Sequence, residues 1–403
     1  MPIYMYKAKT LDGSDIKGTL EANDSSTVLS MLKEKGCFPV QVNEQGLLQK
    51  DIKFNIGSRV KLKDIAVFCR QFSTIINAGV SVLGALDILR QQTANKRLRE
   101  VIEKVYSAVQ KGNTLSNSMR EHNVFPSILL NMVEAGEVSG SLDVALERMA
   151  THFEKENRLR QKIKTAMTYP IMISIIAVLV VGILITFVVP TFVSMFAQAG
   201  AELPATTRIL IGISGTIRKY WYIILAVVIG GILLFRFYAS TDTGRKTIDT
   251  IKLYIPVVGM LNQKIISSRF TRTLSTLLAS GLPLLTALEV VAKVVDNYIV
   301  AKGLEKAQQE VSRGVSLAQP IAQIGVFPPM VTYMVRIGED TGTLESVLNK
   351  TADFYDDEVE AAISRMTSLL EPLIICVMAV VVGFIIISIM QPIFGMYENI
   401  SNM

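Results

Sequence analysis

Residues 162–190 read KIKTAMTYPIMISIIAVLVVGILITFVVP, and within this stretch a charged, helix-forming pattern turns into a membrane span. No charge interrupts 171–189. At ~1.5 Å of rise per residue that run covers ~28 Å, about the thickness of a bilayer's hydrocarbon core. Arg158, Arg160, Lys162 and Lys164 stand just upstream. Lysine and arginine so close to a span set its orientation, so the preceding chain is expected in the cytoplasm.

Working outward, 61–169 is helical almost throughout. Ile65, Phe68, Phe72, Ile75 and Ile76 share one face, and Gly79 is placed to end that helix. Further helices are expected at about 81–92, 95–111, 114–121 and 127–134, followed by a long one from Ser141 that carries Leu142, Ala145, Leu146, Met149 and Phe153 on its apolar face. Residues 1–45 form a separate unit. Two alternating runs around Asp12-Gly13, a short helix capped by Ser25 or Ser26 and ended by Gly36, and a strand over 38–42 spell a small ββαβ module. Residues 46–60 are a linker.

Downstream of Pro190 the pattern gives an external loop over 191–219, a second span over 220–238 bordered by Trp221, Tyr222 and Tyr238, a domain over 239–371, and a third span over 372–392. The tail, 393–403, has no lysine or arginine and is expected outside.

The chain also repeats itself. Residues 68–192 match 270–394 at a constant offset of 202. Phe68, Arg70, Ser73, Thr74 and Gly79 return as Phe270, Arg272, Ser275, Thr276 and Gly281, and Phe125-Pro126 as Phe327-Pro328. The densest match is the G-E-x-x-G-x-L element, Gly136-Glu137 with Gly140 and Leu142 against Gly338-Glu339 with Gly342 and Leu344. Pro170 and Pro190 recur as Pro372 and Pro392 around the third span, whereas Ser364 and Glu371 stand in place of Lys162 and Tyr169. The fold class is therefore mainly α: an integral membrane protein with two tandem cytoplasmic helical bundles, three transmembrane helices and a small N-terminal α+β module. The second span brings the chain back so that both copies face the same way.

Enzyme chemistry finds little footing. His122 and His152 are the only histidines, too few for the usual metal sets or for a Ser-His or Cys-His couple. Gly244-Arg245-Lys246-Thr247 lacks the glycine that a phosphate loop places before its lysine. No span holds an ionisable residue at mid-depth, which argues against a pump. Cys37, Cys69 and Cys376 are far apart and read as packing residues. The net charge of +6 belongs to residues flanking the spans rather than to a nucleic-acid surface. No catalytic, cofactor or metal residues are expected.

Glu137 and Glu339, which the helix corner does not itself need, are candidate contacts with a partner protein or a cation, and Arg70 and Arg272 are candidate partner contacts for which an internal salt bridge is the competing reading. Asp356 and Asp357, in the acidic run from Asp353 to Glu360, could dock a basic partner or form a solvated helix face. At the corner, Gly136 and Gly338 are expected to turn left-handed and end a helix, with Ser141 and Thr343 capping the next. The membrane-junction residues are Lys162, Lys164, Tyr169, Pro170, Pro190, Pro372 and Pro392.

Together, the ββαβ unit, the tandem helical domains with G-E-x-x-G-x-L, and the basic helix running into Thr168-Tyr169-Pro170 and closing with Val188-Val189-Pro190 resemble the inner-membrane platform proteins of type II secretion and type IV pilus machines. The resemblance implies six-helix cytoplasmic bundles and a non-enzymatic, multi-pass protein of the bacterial cytoplasmic membrane. It also implies contacts with a cytosolic hexameric assembly ATPase, with pilin or pseudopilin subunits and with other inner-membrane components, and assembly as a homo-oligomer. Two other classes compete. Glu134-Ala135-Gly136 with Gly140 mimics the coupling loop of an ABC-type permease, although the continuation departs from it and three spans are few, and a membrane signalling scaffold would share the bundle-on-span layout.

Overall fold

The computed structural model describes residues 3–10, 15–22, 24–34, 36–44, 59–188, 190–191 and 205–401. The Asp12-Gly13 turn and most of the 46–60 linker lie outside them. The chain divides into two units, Met1–Arg59 and Val60–Met403.

In the first unit β1 (Ile3–Thr10), β2 (Asp15–Glu21) and β3 (Cys37–Glu44) make an antiparallel sheet in the order β2-β1-β3. Helix α1 (Ser25–Glu34) covers it, burying Val28 and Leu32 against Tyr4 and Ala22. Its cap is Asp24 rather than Ser25 or Ser26: Oδ1 accepts from the Thr27 N–H at 2.8 Å, and the carboxylate suits a helix N-terminus. The β1–β3 register shifts between Lys7 and Ala8, opposite Pro39, on an edge strand where a proline costs no ladder bond.

The second unit opens with six helices: α2 (Leu62–Asn77), α3 (Val82–Gln92), α4 (Lys96–Gln110), α5 (Leu115–Arg120), α6 (Ser127–Ser139) and α7 (Leu142–Ile183). Helix α7 leaves the bundle and becomes the first span, ending in a π-helical turn, Leu184–Val188. Helix α8 (Ala205–Ser240) contains the second span, and α9 (Asp242–Tyr254) follows it. The second bundle repeats the first with α10 (Val258–Ala279), α11 (Leu284–Val294), α12 (Tyr298–Ser312), α13 (Ala318–Gln323), α14 (Pro329–Asp340) and α15 (Leu344–Ser401), which runs on as the third span. Among the described residues three helices are long and apolar enough to cross a bilayer, as expected. One buried cluster joins both bundles and includes Phe72, Leu86 and Ile102 from the first with Phe270, Leu288 and Leu304 from the second. The Phe68–Phe125 ring pair recurs as Phe270–Phe327.

Two further expectations need correction. Residues 205–219 are helical, not loop. This part of α8 ends at a break at Tyr220 (φ −119°, ψ 20°), and Thr207 and Ser214 donate from their hydroxyls to the carbonyls of Ser388 (2.6 Å) and Ile185 (2.7 Å) at the ends of the spans away from the bundles. Beside lipid, a helix satisfies backbone groups that a loop would leave open, and its small polar residues are free to bond neighbours. The second correction concerns the glycine corner. Helix α6 does not stop at 134 but continues through Gly136 to Ser139, and the left-handed residue is Gly140 (φ 71°). Gly136 is needed for a different reason, because a Cβ there would lie 2.8 Å from the Ala145 Cβ and 3.0 Å from the Leu142 Cα where α6 and α7 meet. Gly338 and Gly342 (φ 68°) divide the work in the same way.

Candidate functional site

The polar residues singled out in the sequence fall into two duplicated anchors inside the bundles and a seam between them. In the first anchor, the Glu137 carboxylate reaches back to the start of α5. It accepts the backbone N–H of Leu115 at 2.6 Å and of Ser116 at 2.9 Å. Those N–H groups open a short helix and have no partner within it, so a carboxylate there meets both the hydrogen-bonding and the dipole requirement. Glu339 does the same for Leu317 and Ala318 at 2.6 and 2.9 Å. Ser141 makes no side-chain cap; its hydroxyl pairs with Ser139, as Thr343 pairs with Thr341.

The second anchor ties the first helix of each bundle to the last. Arg70 donates through Nε and Nη2 to both oxygens of Glu154 at 2.8 and 2.9 Å, and also reaches Thr151. This pairing holds the Glu154 carboxyl below its usual range, chiefly through the Arg70 hydrogen bond. The positions 202 residues on are Asp356 and Asp353, and Arg272 donates to each at 2.7 Å and to Asn349 at 2.9 Å. Burial alone would raise the Asp353 carboxyl, but hydrogen bonds from Lys155 and Arg272 bring it below the ordinary value.

Lys155 belongs to the other bundle, so Asp353 is also part of the seam. Its bond from Lys155 is 2.9 Å; Lys162 pairs with Glu360 farther along the same two helices, and Arg269 donates to Glu156 at 2.8 Å. The acidic run of α15 is therefore largely committed: Lys264 holds Glu358, Ser268 and Arg272 hold Asp356, and among the described residues Asp357 alone of the five carboxylates has neither a hydrogen bond nor an ion pair. His152 lies buried between the bundles and lines cavities of ≈ 210 and ≈ 340 Å³ on either side of the seam. Burial pushes its imidazole down to about 4, with Arg272 acting in the same direction and Glu156 against it.

Toward the membrane, Leu159, Ile163 and Ala166 of α7 pack with Val359, Ala362, Ile363 and Met366 of α15. Tyr169 donates to Glu371 at 3.4 Å, so the residue that departs from the repeat faces the one it replaces. Lys164 is exposed, Pro170 is buried within α7 and Pro372 exposed within α15, so neither proline ends its helix. Ser174 bonds back to the Pro170 carbonyl. Pro190 lies just beyond the π-helical turn, and Pro392 falls within α15. Beyond the junction the two spans part around an apolar groove of ≈ 660 Å³ lined by Pro170, Ile171, Ile175, Val178, Leu370 and Ile374, and meet again at Ile185 and Ile385.

Residues 68–190 and 270–392 each match the family described as Type II secretion system (T2SS), protein F, and residues 1–43 match its N-terminal domain. The chain belongs to this family. Its two matched segments are the two copies of the repeat, each comprising a bundle and the span that leaves it. Among its relatives are the type IV pilus assembly protein PilC of Thermus thermophilus, 39% identical over the full length of both chains, and that of Myxococcus xanthus, 38% identical over 98% of this chain and 94% of the other. The type II secretion system protein F of Pseudomonas aeruginosa is 33% identical over 99% of each.

Of the six side chains weighed as partner contacts, five are occupied inside the bundles: Arg70, Glu137, Arg272, Glu339 and Asp356. Asp357 faces solvent. The internal partners were within reach of the sequence, because Arg70 and Arg272 each have an acidic residue 84 positions on, a coincidence the repeat makes meaningful. The seam carried no such signal. Its pairs join residues that the repeat does not relate, and nothing in a linear pattern says which faces of two bundles meet.

Proposed function

We propose that this protein is the non-enzymatic inner-membrane platform of a type IV pilus or type II secretion machine, coupling a cytosolic hexameric assembly ATPase to polymerisation of pilin or pseudopilin subunits. The observation that carries this reading is the full-length relation to pilus-assembly and secretion proteins, matched separately in each of the two bundle-and-span copies. The layout suits the role. Bundles whose first and last helices are clamped together by Arg70 and Arg272 pass a push into α7 and α15 with little give, and both helices run unbroken into the membrane. In this reading the amino end and the bundles face the cytoplasm, the carboxyl end lies outside, and the protein works as a homo-oligomer. Asp357 is the acidic group offered to a basic partner. Glu137 and Glu339 shape the corners beside which a partner sits, and the apolar groove between the spans guides pilin helices. The test is copurification from membranes after crosslinking. Recovery of a hexameric ATPase together with a pilin or pseudopilin is expected; recovery of neither refutes the coupling role. Full assembly activity in a Glu137→Ala, Glu339→Ala double variant refutes the part given to the corners.

A further inference from the structure

The segment between the second span and the second bundle, IKLYIPVVGM at 251–260, is unusual for a connection outside the membrane: Ile251, Tyr254, Ile255, Val257, Val258 and Met260 are all exposed, Tyr254 at 84%. A run of apolar side chains this dense, left open by its own fold, marks a surface meant for something apolar. Its height in the molecule identifies the occupant. Helix α10 runs antiparallel to α15, with Arg272 beside Asp353, Ser268 beside Asp356, Lys264 beside Glu358, and Leu261 in the cluster that contains Ile163, Ala166 and Met366. Following α10 back from Leu261 to the elbow at 255–258 brings the chain level with residues near Met366. From there to Leu373, where the uncharged run of α15 begins, is only about 10 Å along a helix, so the elbow sits at the headgroup layer.

The other end of α9 is at the same level, because α9 begins at Asp242 directly after the second span, which runs to Ser240. A helix that starts and finishes at the membrane surface lies along it. Three contacts fix which side faces the bundle: Arg245 lies 3.9 Å from the Asp296 carboxylate, Asp249 accepts from the Tyr298 N–H at 2.9 Å, and Leu253 packs on the core. The opposite side carries Ile251, Tyr254 and Ile255; Lys246 is also exposed, while Lys252 pairs with Asp249 at 3.3 Å.

The backbone supplies an independent observation. Val257 sits at φ 68°, ψ −55°, and the Val258 N–H donates to the Pro256 carbonyl at 2.8 Å, which is a γ-turn of the strained hand. Among the described residues it is the only non-glycine with positive φ. Glycine would relax this turn, so a β-branched valine there signals a use for the apolar side chain. Gly259 follows because a Cβ would meet the Leu253 carbonyl oxygen at 2.1 Å; the glycine went where no side chain fits, not where the strain lies.

We propose that α9 and the elbow after it form an in-plane membrane contact, setting Tyr254, Ile255, Val257, Val258 and Met260 among the lipid headgroups and upper acyl chains of the leaflet that faces the bundles, with Lys246 toward anionic headgroups. The bilayer then anchors the second bundle at the elbow as well as at its spans, restricting how that bundle can tilt. The proposal rests on the spans crossing a bilayer, and the experiment separates the two. In the full-length protein, reconstituted into vesicles containing anionic lipid, tryptophan emission is read with acyl chains brominated either near the glycerol or near the methyl end. Native Trp221, the only tryptophan, reports on the second span: absence of quenching there counts against the span itself. A Tyr254→Trp, Trp221→Phe variant reports on the elbow, and a Ser346→Trp, Trp221→Phe variant, far along α15 from the membrane, is the control. The elbow tryptophan is expected to lose emission to an extent comparable with Trp221, more with the shallow bromines than with the deep ones, while the control stays unquenched. An unquenched elbow with red, water-exposed emission overturns the proposal, as does an unquenched elbow with blue emission, which means that protein rather than lipid covers it. Replacing Val257 by glycine keeps the turn and is expected to weaken quenching at the Tyr254→Trp site; unchanged quenching removes the role given to Val257.

Discussion

The two bundles contain the same arginine clamp in different surroundings. Arg70 and Glu154 retain 40% and 34% of their side-chain exposure, whereas Arg272 retains 9% and serves two aspartates and an asparagine. The residues around them explain the contrast. Arg272 is roofed by the α7 face of the first bundle, with Thr151, His152 and Lys155 lining the same small cavity, and Arg70 has no such roof. Duplication thus supplied one clamp twice, and packing one copy on the other turned the second into the structural centre of the assembly. The seam is also one-sided. His152 is buried in it, but the position 202 residues on is Phe354, which is 42% exposed.

The largest expected difference between the copies is at the clamp itself. Arg272→Ala leaves two carboxylates without their buried partner and is expected to cost about 3 kcal/mol, the lower end for such losses because both aspartates keep some access to water. Arg70→Ala is expected to cost no more than about 1 kcal/mol. Unfolding of the detergent-solubilised variants measures both, and equal losses would break the comparison.

Next comes pH. Burial pushes the His152 imidazole down to about 4 in the fold, against 6.5 when it is exposed in the unfolded chain. The unfolded chain therefore binds a proton that the folded one refuses, and stability falls as pH drops through the window from 6.5 toward 4, by up to about 3 kcal/mol at its foot. His152→Phe, which writes in the residue of the second copy, is expected to flatten that slope; an unchanged slope assigns it to other groups.

The glycine corners should differ less. A methyl at Gly338 meets the Leu344 Cα at 2.7 Å and at Gly136 the Leu142 Cα at 3.0 Å, with the Ala145 Cβ closer still at 2.8 Å. Both alanine variants are expected to lose about 1–3 kcal/mol, Gly338→Ala more, because the closer atom there is backbone and cannot swing away. Thermal midpoints of the two variants side by side give the order. The smallest effect is at the rim of the seam, where Lys162 and Glu360 are both half-exposed. A double-mutant cycle on this pair is expected to give a coupling of about 0.2–1 kcal/mol that shrinks in high salt. A larger, salt-insensitive coupling would mean that the seam is tighter at the membrane than the geometry indicates.

Much of the architecture was already legible in one dimension. Apolar run length gave the three spans and periodicity gave the helices, because both follow from the fixed rise and pitch of the chain. The constant offset of 202 gave two equivalent bundles, and an internal salt bridge was among the readings for each arginine, though not its partner 84 residues on. The glycine corner was legible as a corner but misread in detail. Which of two glycines turns left-handed depends on how close α6 comes to α7, and that distance is absent from local sequence.

The helix at 205–219 shows the same limit. Its glycines, threonines and serine suggest a loop in water, yet beside the spans they let helices approach and bond to neighbouring carbonyls. By itself, then, the sequence determined the three spans, most helices of the first bundle and their duplication, since these depend on interactions between near neighbours along the chain. Tertiary structure alone decided that the seam buries His152 while its counterpart Phe354 stays exposed, that the candidate contact residues Glu137 and Arg272 are spent inside the fold, and that Asp357 and the 251–260 elbow are left open. Those outcomes depend on which surfaces meet, and equivalent residues in a repeat carry no mark of which copy will be covered.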